Sequence, residues 1–288
     1  MELGLINLIV LFGLMFASYK DFKKREVPDY LNFSMIILGI MFGLIGAIYF
    51  KNYWILLSSI LGLGVGYLFG ALMFYTGQWG GGDAKMVMAI GALHGFNIYN
   101  WIKFGEFPLL LIIFFTIIFA GSFYGLIYMI VLVFKNFKEV KKEFNLKIHE
   151  KNIIVIRKIV LIFVCLFCLL ALFLNDFIFR FTFIGLAIII FLGNYLIIFG
   201  KVIEKVCMVK KVDVSKLTEG DWILNDIVVK GKTICGPKDL GISLKQISKL
   251  KKLKVKEVII KEGIPFIPGF LLGYILILIF GNWILYFI

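Results

Sequence analysis

Eight long apolar runs, at residues 1–19, 30–50, 54–76, 84–96, 107–134, 159–174, 177–199 and 266–288, constrain this 288-residue chain more than any other feature. A helix needs roughly 20 apolar residues to cross a ~30 Å hydrocarbon core, because lipid offers no partner for unpaired backbone groups. Most of the runs reach that length; the fourth and sixth are short and are expected to be tilted, extended or partly re-entrant. Apolar residues make up 61% of the chain, above the roughly half that soluble domains carry. The predicted fold is an all-α polytopic membrane protein of about eight transmembrane helices with a small cytoplasmic α+β insert.

Basic residues orient the spans. With the N-terminus outside, Lys20, Lys23, Lys24, Arg25, Lys85 and the basic residues of segments 135–158 and 201–261 all face the cytoplasm. Only Lys51, Lys103 and Arg180 of the 31 Lys and Arg then lie outside, as the positive-inside rule requires. The net charge of +13 is therefore first a topology signal and second an attraction to anionic headgroups of the lipid bilayer. No nucleic acid partner is expected. The first run does not read as a removable signal peptide, since Glu2 precedes it and its basic cluster follows it. Cys165 and Cys168 form a CxxC inside an apolar run with no second pair or histidine nearby, so they read as packed or lipid-facing side chains. Cys207 and Cys235 read as free thiols, and no metal or cofactor is expected.

Five segments follow. Residues 1–134 form a membrane core of five helices that carries the candidate site. Residues 135–158 form a basic segment in which Phe137, Val140, Phe144 and Ile148 recur at helical spacing, suiting a helix in the headgroup layer or a solvated connector. Residues 159–199 form an additional two-helix hairpin. Residues 200–263 form the soluble subdomain, with strands in "DWILNDIVV" and "VKEVII" and a helix in "SLKQISKLKKLK". Nothing in it resembles a nucleotide loop or a metal site. Residues 264–288 form a last span whose lead-in, "EGIPFIPGF", is expected to stay extended because Pro265 and Pro268 prevent a regular helix. Gly62, Gly66 and Gly70, with Gly39 and Gly43, are spaced for close helix contact.

Within this apolar chain two aspartates fall at one depth. Asp21 ends the first span in "YKDFKKREVPD" and Asp83 opens the fourth in "GGGDAKM". Ionisable groups at a membrane boundary are costly and point to function. Two facing acids can share one proton, one activating water while the other donates to a peptide carbonyl. Gly80, Gly81 and Gly82 leave room beside the carboxylate and let backbone approach a substrate. Helix-end dipoles assign Asp83 the base and Asp21 the acid. Each alone also has a structural reading, Asp21 as an interfacial residue and Asp83 as a helix cap; together they point to an aspartyl protease. Asp29 reads as a helix-starting acid, His94 lies near the outer end of a helix, and His149 lies in a charged loop.

"GGGD" fits a GxGD signature, and "DFKKREVPDYLNF" resembles the D…R.IP[DN] stretch after the first helix of type IV prepilin peptidases. With the insert and the proline-preceded last span, the chain resembles the archaeal prepilin/preflagellin peptidase family, most closely over residues 1–95. The resemblance implies an aspartyl endopeptidase with Asp21 and Asp83 as catalytic residues. Its implied substrates are pilin or archaellin precursors with class III type signal peptides, cut at the cytoplasmic face of the cell membrane, usually after a glycine. Glu26 and Asp29 are then candidates to bind the basic leader. Bacterial relatives carry paired CxxC motifs on a cytoplasmic loop and an N-methyltransferase activity; those pairs are missing from this sequence, so peptidase without methylation is expected. The hairpin at 159–199 exceeds the six spans expected of a compact archaeal member. Two rival readings make different demands. A presenilin-like protease needs aspartates deeper than the boundary, and a proton-coupled transporter relaying through Asp21 and Asp83 needs an internal repeat with paired broken helices.

Overall fold

The computed structural model describes residues 2–104, 107–229, 231–239 and 241–281; Met1 and the end of the last apolar run, beyond Gly281, lie outside them. Its helices are α1 (Glu2–Lys24), α2 (Asp29–Tyr49), α3 (Trp54–Tyr75), α4 (Gly81–His94), α5 (Ile98–Phe104), α6 (Leu109–Lys135), α7 (Phe137–Ile148), α8 (Lys151–Phe173), α9 (Phe177–Ile203), α10 (Leu244–Lys252) and α11 (Ile267–Phe280). Each of the eight apolar runs, over its described residues, overlaps one of them. Six, namely α1, α2, α3, α6, α8 and α9, are long and apolar enough to cross a membrane. Helices α4 and α11 have 14 described residues each, about 21 Å of rise.

Helix α4 is the axis of the membrane core. Met86, Val87, Ala89, Ile90, Gly91, Ala92 and Leu93 are all buried, the pattern of a helix enclosed on every side. The spaced glycines make this enclosure possible. A Cβ on Gly62 would strike the carbonyl oxygen of Gly91, and one on Gly66 or Gly70 would come within 2.8 Å of the carbonyl oxygens of Val87 or Ala84. Gly39 brings α2 equally close to Ala92 on the other flank. A second small-residue seam joins α6 to α11, where Gly269 meets the Cα of Gly121 and Gly273 meets Ile117. Helix α1 completes the core with Val10, Leu14 and Ala17, all fully buried.

The remaining helices lie apart from this core. Helix α8 begins at Lys151 rather than 159, so the sixth run is not short: Lys151, Arg157 and Lys158 extend it to 23 residues. It pairs with α9, where Arg157 donates to the Tyr195 hydroxyl (3.0 Å), and most of its apolar side chains stay exposed, as lipid contact requires. Cys165 and Cys168 are among the exposed ones, and all four cysteines are free. Helix α7 buries Val140 and is tied to the turn just after α9 by Lys205 and Glu143 (2.5 Å).

The insert is a small α+β unit. Strands β1 (Val209–Asp213), β2 (Trp222–Ile223) and β5 (Glu257–Lys261) form an antiparallel sheet in the order β1-β5-β2, and β3 (Ile227–Val229) pairs with β4 (Lys232–Cys235). Val258 and Ile260 of β5 pack with Ile247 and Leu250 of α10, whose start is capped by Ser243 and Gln246. Strands β1 and β4 escaped the sequence reading because lysines break their apolar pattern. Pro268 is also a correction: it lies inside the first turn of α11, where its missing N–H has no helical partner to lose. Pro265 alone stays outside the helix.

Candidate active site

Asp21 and Asp83 lie at the same end of the bundle, in the last turn of α1 and the first turn of α4. Asp21 is only 5% exposed, and its Oδ2 accepts a hydrogen bond from the Ile267 amide at 3.1 Å. Asp83 stands at the third position of α4, not at its cap, and its Oδ2 accepts from the Gly80 amide at 3.0 Å. Trp79, four residues before Asp83, packs on Phe266 and Phe270, which flank the Ile267 amide that holds Asp21, so the two carboxylates share one end of the core. Each therefore rests on an amide at the start of a helix, Asp83 on that of α4 and Asp21 on that of α11. The division into acid and base drawn from helix ends loses its footing here, because the positive end of α11 faces Asp21 as well.

The stretch after α1 is stitched to the glycine turn before α4. Val27 packs so tightly on Gly82 that a Cβ there would come within 2.9 Å of the valine Cβ. Fully buried Asn32 donates to the Gly82 carbonyl at 3.2 Å, and Asp29 pairs with Lys85 at 2.6 Å. The three contacts give a physical reason for "REVPD" and "GGGD" to occur together. They also separate the glycines: Gly82 is fixed by packing, whereas a Cβ on Gly80 or Gly81 would meet only ordinary contacts, which leaves those two positions open beside Asp83.

Arg25 fastens the site from the side. It takes a left-handed backbone conformation (φ 57°), and its guanidinium donates to the Gly263 carbonyl (3.2 Å) and the Tyr128 hydroxyl (2.7 Å). It thus joins the end of α1 to α6 and to the lead-in of α11. Trp79, 5% exposed, packs against Phe69, Phe266 and Phe270 and anchors the glycine turn to α11. Trp222 of the insert lies against Gly77 at the other side of that turn. Arg25→Ala is expected to lower stability by about 1 kcal/mol, the scale of hydrogen bonds from a partly solvated cation, and to slow turnover more than Arg25→Lys does. Thermal melting and initial rates in detergent check it.

Other residues singled out from sequence fall elsewhere. Glu26 is exposed, while the charge of Asp29 is engaged by Lys85. His94 sits at the far end of α4, where its Nε2 lies 2.8 Å from the Tyr274 hydroxyl, which donates to Asn7. A groove of about 1240 Å³ opens there. It is lined by no carboxylate among the described residues, so it does not compete with the aspartate end as the seat of acid–base chemistry. His149 contacts the Asn145 carbonyl. The Ile267 amide and Asn32 were missed. A backbone amide leaves no trace in sequence; an asparagine alone in an apolar helix was the available signal for the other.

This arrangement defines a class: a polytopic helical membrane protein with two acids meeting at one end of its core. Residues 8–130 match the type IV leader peptidase family. The chain is 40% identical over 81 residues to a preflagellin peptidase of Methanococcus maripaludis, covering 28% of this chain and 35% of that protein. It is 36% identical over 122 residues to a preflagellin peptidase of Methanocaldococcus jannaschii, covering 38% and 51%. With a preflagellin peptidase of Methanococcus voltae it shares 32% over 149 residues, covering 48% and 61%. The chain thus spans between about a third and three fifths of these relatives, and the resemblance read from its motifs to archaeal prepilin and preflagellin peptidases is shown for this region.

Proposed function

We propose that this protein is a membrane aspartyl endopeptidase that removes short basic leader peptides from pilin-like or archaellin-like precursors, with Asp21 and Asp83 as the catalytic pair. The observation that carries the reading is that these two carboxylates, from the last turn of α1 and the first turn of α4, lie at the same end of the core, with open glycine positions beside Asp83. The chain crosses the bilayer eight times, its N-terminus is outside, and the pair faces the cytoplasm. Asp21 lies in the last turn of α1, and Lys23 and Lys24 close that turn. This supports a boundary site rather than the deeper one a presenilin-like protease needs.

In the cycle, one carboxylate of the pair is ionised and the other protonated. The ionised acid takes a proton from water as the water oxygen bonds to the scissile carbonyl carbon, and the protonated acid donates to the carbonyl oxygen. Collapse of the tetrahedral adduct breaks the C–N bond: the leaving amine takes the proton first removed from water, and the adduct hydroxyl returns its proton to the carboxylate that donated it, which restores the starting pair. A precursor with a basic leader and an apolar helix would lie with its helix in lipid and its scissile bond at the headgroup level.

Glu26 is the leader-binding group the geometry favours, since Asp29 is already paired. Glu26→Lys is expected to raise KM for a basic-leader precursor several-fold at low salt with kcat little changed, and Asp29→Lys to change KM less. Kinetics with precursors of graded leader charge check this. The proposal as a whole is tested by cleavage of a leader-bearing precursor in detergent by the natural protein, Asp21→Asn and Asp83→Asn; cleavage retained by either variant removes that residue from the mechanism.

A further inference from the structure

Five buried side-chain polar atoms lack a hydrogen-bond partner among the described residues: Ser18 Oγ, Asn32 Oδ1, His94 Nδ1, Tyr124 Oη and Arg157 Nε. Buried polar groups are nearly always paired, so such orphans mark places where something else is expected. Three of the five surround the aspartates. Ser18 lies one helical turn before Asp21 on α1. Asn32 spends its amide nitrogen on the Gly82 carbonyl, next to Asp83, which leaves its oxygen free. Tyr124 lies on α6, its ring edge-on to that of Phe22 with centroids 6.5 Å apart. A Cβ on Gly269, in the first turn of α11, would stand 3.6 Å from its Cδ1. Phe22 adjoins Asp21 in sequence, and Gly269 lies two residues after Ile267, whose amide holds Asp21.

We propose that Tyr124 is a third catalytic residue of this site, its hydroxyl donating a hydrogen bond to the scissile carbonyl oxygen. The inference rests on the peptidase reading above. A peptide bond entering between the aspartates presents a carbonyl that needs donors and an N–H that needs an acceptor. An ionised carboxylate cannot donate, and the pair holds one shared proton. Tyr124 supplies a neutral donor that keeps its own proton at neutral pH, so the proton balance of the two acids is untouched. As water adds, the carbonyl π electrons move onto oxygen, and a donor fixed by Phe22, Gly269 and the neighbouring Tyr128 strengthens its bond without rearranging. The free Asn32 oxygen matches the peptide N–H.

The position also explains the fastening around it. Tyr128, one turn further along α6, takes the Arg25 guanidinium, and Gly121, one turn earlier, receives the Phe266 ring. Tyr124 therefore lies between two points that lock α6 to the ends of α1 and α11, which fixes its ring beside Phe22.

Tyr124→Phe removes one oxygen and keeps the ring, so it isolates the donor. In the full-length protein in detergent, kcat for a leader-bearing precursor is expected to fall about 10²-fold, within the range of a lost oxyanion donor. KM and the melting temperature should stay near those of the natural protein. A statine-type mimic of the tetrahedral adduct should bind the Phe variant more weakly, while intact precursor should bind Asp83→Asn equally well with Tyr or Phe at 124. Unchanged kcat in Tyr124→Phe, with both aspartate variants inactive, overturns the inference and leaves the peptidase reading standing. A kcat loss accompanied by lower melting or higher KM also overturns it, by making the role structural. Cleavage retained in the aspartate variants removes the peptidase reading itself.

Discussion

Asp83→Asn and Asp21→Asn should each lose cleavage of a leader-bearing precursor by ~10²–10⁴-fold while the bundle stays folded. Asparagine keeps the shape of aspartate and retains a carbonyl oxygen, so the bonds from the Gly80 and Ile267 amides survive and only the ionisable group is lost. Because the two acids act as one unit, the double variant should be little worse than either single one. Rate plotted against pH should fall on both sides of an optimum, as one proton must be present and the other absent, and the two limbs belong to the pair rather than to either residue. Single-turnover cleavage in detergent, with melting measured on the same samples, separates lost chemistry from lost structure. Activity in either variant within tenfold of the natural protein would remove that residue from the mechanism.

The second large effect concerns the axis of the core. Gly62→Ala should destabilise the protein by ~1–3 kcal/mol, the usual cost of overpacking, and Gly62→Val by more. The added carbon would strike the backbone oxygen of Gly91, which cannot swing aside as a side chain could, so α3 and α4 must separate. Asp83 stands in the first turn of α4, and activity should fall with stability. Gly64→Ala is the matched control on the same helix, since a Cβ there meets nothing within 4 Å; it should melt as the natural protein does. Equal melting of Gly62→Ala and Gly64→Ala in detergent would overturn this account of how the core is held.

How much of this was legible beforehand follows from the kind of signal each feature leaves. The apolar runs predict the long helices because a bilayer requires long stretches of one character, and six of the eight lie in helices long and apolar enough to cross one. The glycines at 39, 62, 66 and 70 show in sequence as regular spacing, and their partner surface on α4 explains them. Gly121, Gly269 and Gly273 pack as closely but lie on two helices far apart in the chain, so no local spacing revealed them. Strand β1 was hidden because Lys210 and Lys211 interrupt "VKKVD". At the site, Asp21 and Asp83 stand out as charges in an apolar setting. What holds them does not: the Ile267 amide is backbone, the clamp of Arg25 on Gly263 spans most of the chain, and Tyr124 is one of 12 tyrosines with no pattern to mark it. The helix-end argument that separates acid from base leaves out α11 in the same way, since only the fold brings that helix to Asp21.

Strand β5 ends at Lys261, and only residues 262–266 separate it from the amide that holds Asp21. A water-exposed sheet therefore has a short tether to a carboxylate at the end of the helix bundle. Its integrity sets where that amide stands, so loss of the sheet is expected to cost catalysis even while the helix bundle stays folded.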